Sequence, residues 1–510
     1  MRKIILIITM LYPVLLNAQG KAYNFLIGHN TIADQYTTAG KGRLVFSSAT
    51  VDTVGETRKM GFRITQGNIA DENGNLLMVS NGCWIADASG DTMQNGDSLN
   101  PNSFTDDYCD PNSAGYGALP LPHGNIFLPF PGSYNKYILF HQTGSYSNPN
   151  LSSTELYCST IDLSLNGGLG AVINKNQIIL TDVISWGIAA CKHANGRDWW
   201  IVAIRENSTL IHKFLLDTSG VNYFGSQTVG FPLPPIASAA QSLFSPDGKK
   251  FAYGSGQLGV NAFHDIRLFD FNRCSGNFSG LAYININDSS SGSSFAFSPD
   301  SKYLYHASFK RLYQINTDST NIPASLQAIA NNDVFASPVS PFYTNFFLMY
   351  LAANGKIYIS SGNGVVDYHY INYPDSGGVA CDVHLHDLHL PCYSFRGNVY
   401  HPNYYLGCDT TSGCACLTIG INELRTFDFK FALSPNPTNG NIKIMYLLPQ
   451  NSKGFFEVFD VTGKKVFRYS LPPWSTLQNF DLNFLSGGIY SCVITSSNLR
   501  VSKKLAVIKN

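Results

Sequence analysis

The chain has 510 residues, of which only 13% are charged, with 34 basic side chains balanced by 34 acidic ones. A formal net charge of zero leaves no electrostatic footprint for nucleic acid or for an anionic membrane. Gly (45), Phe (33) and Tyr (28) are abundant, and the length exceeds one ordinary domain but suits a large all-β domain with a small companion.

At the N-terminus, Arg2 and Lys3 precede an uncharged apolar run from Ile4 to Leu16. This run is shorter than the roughly 20 residues a membrane-spanning helix needs, so it reads as a signal peptide, residues 1–18, cut between Ala18 and Gln19. No later run approaches membrane length, and no transmembrane segment is expected. In an exported chain the 11 cysteines are expected to be partly disulfide-bonded, the odd count leaving at least one unpaired in a monomer.

An internal repeat follows. "DENGNLLMVSNG" around Gly74 and "PFPGSYNKYILFHQ" around Gly132 introduce it, and "KHANGRDWWIVAI", "FSPDGKKFAYGSG", "FSPDSKYLYHASF" and "LAANGKIYISSGN" carry it on. Their turn positions are Gly196, Gly248, Ser301 and Gly355, spaced by 52, 53 and 54 residues. In the fourth of these six units Pro246 presets φ, Asp247 bonds local backbone and Gly248 takes the positive φ that closes a hairpin. Such a period, with several short strands and no amphipathic helix, predicts a β-propeller over residues 19–407, one four-stranded sheet per blade. Between the first two units, "FTDDYCDPNSAGYG" holds Asp106, Asp107 and Asp110 without the ordered spacing of an EF-hand, and a solvated blade loop is expected. In "HLHDLH", His384 and His386 are two apart, hence on one strand face, with His389 close by. They are weak metal candidates, since nothing supplies a fixed further ligand. "CDTTSGCAC" opens a linker over 408–430, where Cys408 is expected to bond to Cys414 or Cys416. No Gly-x-Ser-x-Gly or His-Glu-x-x-His motif occurs, only six Glu are present, and no cofactor is implied.

From about 431 to 510 the pattern changes to seven or so short strands, "FDFKFAL", "NIKIMYLL", "FFEVFDV", "KKVFRYSL", "LQNFDLNFL", "GGIYSCVIT" and "RVSKKLAVIKN", as an immunoglobulin-like β-sandwich requires. The fold class expected is therefore all-β, a propeller followed by a small sandwich.

Two resemblances add to this. The "SPDGK" copies resemble the Tol-type propeller repeat, and the order of motifs from about 25 to 407 resembles exported bacterial propellers. That resemblance implies seven blades, the seventh closed by strands near 41–50 against those near 379–405. Residues 431–510 resemble the type A-like C-terminal sorting domain of the type IX secretion system. The residues carrying it are Pro435, Asn436, Pro437 and Gly440 in "SPNPTNG", Gly463 in "VFDVTGKKV", Gly488 and Tyr490 in "LSGGIYSCVIT", and Lys503 and Lys504 in "KKLAVIK". It implies recognition by an outer-membrane translocon, removal by a sortase-like protease, and delivery to the cell surface or medium. Two activities fit such cargo. The favoured one is a binding or adhesion module for a glycan, peptide or envelope partner. The alternative is a hydrolase or lyase acting on polysaccharide or peptide, with carboxylates drawn from several blades to the channel. A structural part of the secretion or gliding apparatus is a weaker third.

Overall fold

The computed structural model describes residues 20–29, 40–47, 50–113, 117–148, 151–230, 238–256, 264–290, 294–337, 342–397, 399–417, 431–446, 454–471, 477–496 and 499–509. The signal peptide with its Ala18–Gln19 cut, and most of the 408–430 linker, lie outside these residues.

Seven antiparallel sheets follow one another along the chain. Blade 1 is Asn24–Ile27, Lys41–Phe46 and Val51–Glu56; blade 2 is Gly67–Ala70, Leu76–Ser80 and Ile85–Asp87. Blades 3 to 6 have four strands each: Asn125–Pro129, Lys136–Gln142, Ser153–Asp162 and Ala171–Ile184; then Ala189–Lys192, Trp199–Ile204, Leu210–Asp217 and Gly220–Thr228; then Ser238–Phe244, Lys250–Gly256, His264–Asn272 and Asn277–Ile286; then Ser294–Phe297, Tyr303–Ala307, Arg311–Asn316 and Gln327–Asn331. Blade 7 is Met349–Leu351, Ile357–Ile359, Gly364–Ile371 and Val383–Phe395. The molecule is all-β, a seven-bladed propeller followed by a small β-sandwich.

The six repeated turns take the same place in blades 2 to 7, joining the innermost strand to the second. Gly74, Gly132, Gly196, Gly248, Ser301 and Gly355 all have φ between 66° and 83°. In two copies the chemistry is the same. Asp247 Oδ1 accepts from Ser245 Oγ at 2.6 Å and Lys249 N at 3.0 Å, and Asp300 Oδ1 accepts from Ser298 Oγ at 2.6 Å and Lys302 N at 3.0 Å. Ser301 holds a left-handed φ of 66° without being glycine, a modest local cost. These turns mark what is called here the lower end of the ring.

Blade faces pack on both neighbours, which is why the inner strands are apolar throughout and do not alternate. In "WWIVAI" the consecutive tryptophans point to opposite faces. Trp199 joins the core shared with blade 3, Trp200 the core shared with blade 5, and each is 1% exposed.

Blade 1 closes the ring in a way the sequence only partly indicates. Asn24 Nδ2 donates to Gly74 O at the lower end, so Asn24–Ile27 runs upward, as a second strand does in the other blades. The innermost place is filled by residues after blade 7: His401 sits between Asn68 of blade 2 and Tyr350 of blade 7. The chain ends thus meet. Val383–Phe395, the outer strand of blade 7, packs face to face on blade 1, Leu390 and Cys392 sharing one core with Phe25, Leu44 and Phe46, while the stretch from Val399 onward supplies the innermost place.

A correction concerns Asp106, Asp107 and Asp110, expected in a loop. Ser103–Cys109 is an α-helix, because Asn102 caps it by accepting from Thr105 N, Phe104 is fully buried beneath it, and Cys109 is bonded to Cys83. Asp110 follows the helix, and its carboxylate caps the next turn by accepting from Asn112 N at 2.8 Å.

Cys408 is bonded to Cys416, and Cys414 to Cys274, which lies between the last two strands of blade 5. The remaining five cysteines are buried thiols. Closing a loop across a sequence separation of 140 residues is expected to contribute about 5 kcal/mol. Replacing Cys274 and Cys414 together by Ser should therefore lower the urea midpoint of the propeller markedly. Non-reduced peptide mapping should recover the 274–414 pair; free thiols at both positions in secreted protein would refute it.

The C-terminal domain pairs Phe431–Ser434, Asn441–Tyr446 and Leu477–Asp481 in one sheet, and Lys465–Leu471, Gly454–Phe459, Gly488–Ser496 and Leu499–Val507 in the other. Ile444, Phe456, Val458, Cys492, Ile494 and Leu505 fill the space between, each at 0% exposure.

Candidate functional site

The central channel is closed toward its lower end by "VYHPNYYL", residues 399–406. Tyr400 stacks on His123, with ring centroids 4.7 Å apart, and its hydroxyl donates to Ala190 O in blade 4. His401 Nε2 donates to Asn68 O at 3.0 Å, while Nδ1 lies 2.8 Å from the Tyr350 hydroxyl. Tyr404 donates to Phe127 O at 2.9 Å, and Asn403 Nδ2 donates to Pro246 O at 2.9 Å. One short segment therefore bonds to five blades. A cavity of about 230 Å³ remains beside it, lined in part by Cys191, Phe244, Phe297 and Leu406. Arg273 donates to Gly407 O at 2.7 Å just before the Cys408–Cys416 loop, so the segment is anchored where it leaves the ring.

Burial dominates the chemistry of the histidines here. It pushes His123 and His401 down to about 4, so both are neutral at pH 7. Nearer the channel entrance, neither amide atom of the fully buried Gln66 has a hydrogen-bond partner among the described residues.

At the upper end three chain segments converge on one ring. Phe395 ends the outer strand of blade 7. His29, just past Asn24–Ile27, stacks on it at 5.9 Å and 25°. The Arg396 guanidinium lies 5.0 Å from the ring centroid and the Arg63 guanidinium 6.0 Å away. Arg63 also covers Tyr108 of the capped helix at 5.3 Å, and Arg396 covers Phe347 at 5.7 Å. Burial first, then repulsion from Arg63, lowers the pKa of both His29 and Arg396. Arg63, Arg396, His29, Gln66 and the plug residues carry no sequence motif. The only signal of the plug was an aromatic, proline-containing run between the last repeat and the cysteines.

The structure separates the three candidate histidines. Tyr370 pairs with His384 but Tyr368 with Leu388, so residues 385–387 form a bulge, and His386 has φ of 41°. The single strand face expected for His384 and His386 is therefore broken. His384 bonds to Asp387 at 2.9 Å and Asp382 at 3.0 Å; burial opposes its protonation, but these two carboxylates leave its pKa raised. His386 bonds to Asp333 at 2.9 Å and stacks on Phe335, whereas His389 bonds to Asp367 at 3.0 Å. Each imidazole thus has its own carboxylate.

In the sandwich, the two ends of the sorting motif meet. Asn436 acts as a short surrogate strand along Leu499–Val507: its Nδ2 donates to Lys504 O at 2.8 Å and its Oδ1 accepts from Ala506 N at 2.9 Å. Thr438 N donates to Ala506 O at 2.9 Å and Thr438 O accepts from Ile508 N at 2.8 Å. Pro435 and Pro437 flank Asn436 and have no N–H to compete. Gly440, at φ of 137°, passes so close to Asn483 that a Cβ would collide with it. Gly463 closes the Asp460–Lys464 turn at φ of 82°. Gly488 pairs with Val507 and Tyr490 with Leu505, the Tyr490 hydroxyl donating to Ser486 O at 2.9 Å. The side chains of Lys503 and Lys504 are exposed.

Comparison with curated proteins finds no match. Among solved structures the chain is similar to a provisionally assigned 6-phosphogluconolactonase from Bacteroides uniformis, at 14% identity and a TM-score of 0.38, over 68% of this chain and 92% of that one. It is similar also to a hypothetical selenium-binding protein from Sulfolobus tokodaii, at 9% identity and a TM-score of 0.39, over 69% of this chain and 87% of that one. The extracellular domain of a Bacteroides thetaiotaomicron two-component system matches at 9% identity and a TM-score of 0.36, over 95% of this chain and 55% of that one. Such identities concern fold alone. Among the described residues no helix is long and apolar enough to cross a membrane. Residues 432–509 match the secretion system C-terminal sorting domain, and with the two ends of its motif clasped together this makes the chain an exported protein of the type IX route, bound for the cell surface or the extracellular space.

Proposed function

We propose that the propeller, residues 19–407, is an extracellular binding module for a glycan, peptide or envelope partner, delivered by the type IX translocon and freed of its sorting domain by a sortase-like protease. The observation that carries this reading is the tyrosine plug: side chains from 399–406 close the lower end of the channel, bonded to blades on several sides, and leave no open passage there for a substrate. Recognition is then left to the upper end, where aromatic rings and cations lie together. Mature protein collected from the medium, offered to immobilised glycans and peptides, should bind a defined subset and leave it chemically unchanged. Retention of nothing in either set, or turnover of what is bound, would refute the proposal.

One observation favours the second reading, a hydrolase or lyase. Asp265, at the start of the third strand of blade 5, has its carboxyl raised to about 6 by burial, against the pull of Arg267 at 2.9 Å. A carboxyl poised there suits a general acid. Turnover abolished by Asp265→Asn would establish that reading in place of the first.

A further inference from the structure

We infer that the cleft between blades 1 and 2 is a binding site for a small zwitterion, a free α-amino acid with an aliphatic side chain, whose carboxylate meets Arg43 and whose ammonium meets Asp87 and Asn75. This site lies on the flank of the ring, goes beyond the binding-module reading and does not depend on it.

The cleft follows from how blade 1 divides its side chains. Phe25, Leu44 and Phe46 join the core shared with blade 7, so alternation turns Asn24, Leu26, Arg43 and Val45 toward blade 2. Trp200, Phe251 and Phe271 fill the space between blades 4 and 5, whereas the buried apolar contact here is confined to Leu26, Met60, Phe62, Val79 and Ala86. A cavity of about 380 Å³ remains, larger than the one beside the plug and within the range of small-ligand sites.

Its two walls differ in charge. On the blade 1 side, Arg43 and Arg58 share one carboxylate: Glu56 Oε1 lies 2.9 Å from Arg43 Nε, and Glu56 Oε2 accepts from Arg58 Nη1 at 2.5 Å. Arg58 donates otherwise to the carbonyls of Ile27, Gly42 and Met60. Arg43 Nη1 donates to Asn24 Oδ1 at 3.2 Å, and its Nη2 makes no hydrogen bond among the described residues. One positive charge is left over, with N–H donors to present it.

On the blade 2 side, acceptors are in surplus. Asp87 is 3% exposed; its Oδ1 accepts from Ser89 N at 2.8 Å and Ser89 Oγ at 2.6 Å, and its Oδ2 accepts nothing among the described residues. Burial raises its pKa, and Lys59 and Lys443 form their ion pairs with Asp91, at 2.8 and 3.6 Å. Asn75 also lines the cavity and is 4% exposed. Its Nδ2 donates to both oxygens of Asp71, at 3.2 and 3.0 Å, which leaves Oδ1 an acceptor without a partner. A buried carboxylate and a buried amide oxygen are costly until a ligand supplies donors to them.

An α-amino acid carries an ammonium and a carboxylate on one carbon, and an aliphatic side chain suits Leu26, Val79 and Ala86. A simple amine leaves Arg43 unmatched, and a simple carboxylate leaves Asp87 and Asn75 so. Among the described residues no aromatic ring lines the cavity, which gives a sugar no face to stack on.

The test is calorimetry at pH 7 on the secreted protein, with L-leucine, leucinamide, N-acetylleucine and glucose as probes. Leucine should bind, each blocked derivative about tenfold more weakly, and glucose not at all. Asp87→Asn keeps Oδ1 for the Ser89 turn but removes the charge. It should erase the preference for leucine over N-acetylleucine and retain the preference over leucinamide; Arg43→Gln should do the reverse. A merely loosened fold would not produce that crossed pattern. Ala86→Leu, which fills part of the cavity, should weaken leucine about tenfold. Melting curves are recorded for each variant, and the probe series on the unaltered protein decides the ligand whatever the variants do to the fold. No binding of leucine, or leucinamide, N-acetylleucine or glucose binding as tightly as leucine, would overturn the inference. So would leucine binding unchanged by Ala86→Leu, or variants that weaken every probe equally.

Discussion

Deleting residues 431–510 is expected to abolish appearance of the protein at the cell surface or in the medium, and to leave a folded propeller in the periplasm. The sandwich has a separate core, built from Phe431, Ile442, Phe456, Phe480 and Ile494 with the residues around them, so its removal exposes no blade core. The apolar faces of its strands are consumed in that core, which leaves the translocon to read edges, turns and exposed side chains such as Lys503 and Lys504. The clasp between Asn436 and Leu499–Val507 determines the shape of that edge. Asn436→Ala removes two hydrogen bonds and should destabilise the sandwich by about 2 kcal/mol, while Gly440→Val, forced against Asn483 at a positive φ, should do more harm. Both variants should lower the secreted fraction in the same order. Surface levels unchanged by the full deletion would show that 431–510 is not the address. The complementary measurement fuses the segment to a folded reporter in a host with a type IX system, where the reporter should leave the periplasm.

The second large effect is loss of propeller stability in mild acid. Burial holds His123, His369 and His401 at about 4 and His141 at about 3 in the folded chain, against about 6.5 when unfolded. Unfolding therefore takes up protons anywhere between pH 6.5 and 4. Their contribution is fully present above pH 6.5 and is lost as pH falls toward 4, by about 1.4 kcal/mol per pH unit for each fully shifted histidine. Asp265, raised to about 6 by burial, works in the opposite sense between pH 6 and 4, since its protonated form belongs to the folded state. Burial also lowers His29, His193 and His306 and raises Asp71 and Asp87, so groups act in both senses, and the more numerous histidines leave a net loss of stability as pH falls. The urea midpoint followed by near-ultraviolet circular dichroism should fall sharply from pH 7 to 5, and His141→Gln should flatten the slope by about one proton. A midpoint independent of pH over that range would rule the account out.

Local chemistry was legible because it repeats or because it is read over a few residues. The turn residues from Gly74 to Gly355 fixed where six blades turn, since a positive φ, in five of the six preceded by Asp or Asn, is a property of four or five consecutive residues. The seven strands of the sandwich and "SPNPTNG" were legible for the same reason. Geometry between distant segments was not. Cys414 lay within reach of Cys408 in sequence, yet it joins Cys274, because the ring brings blade 5 beside the linker. Alternation puts His384 and His386 on one face only in an unbroken strand, and the bulge at 385–387 breaks it. Asp106 and Asp107 fall in a helix, Ser103–Cys109, because the Asn102 cap at its start and the Cys83–Cys109 disulfide at its end outweigh the turn-like composition.

The sequence by itself determined the class of fold, the repeat, and the export route, all of which depend on short patterns or on ordered matches along one segment. Only the tertiary structure decided that "VYHPNYYL" closes the ring and plugs the lower end of the channel, and that His29, Arg63, Phe395 and Arg396 gather at its other end. The physical reason is that a propeller brings together, around one axis, residues hundreds of positions apart, and such proximity leaves no trace in local spacing.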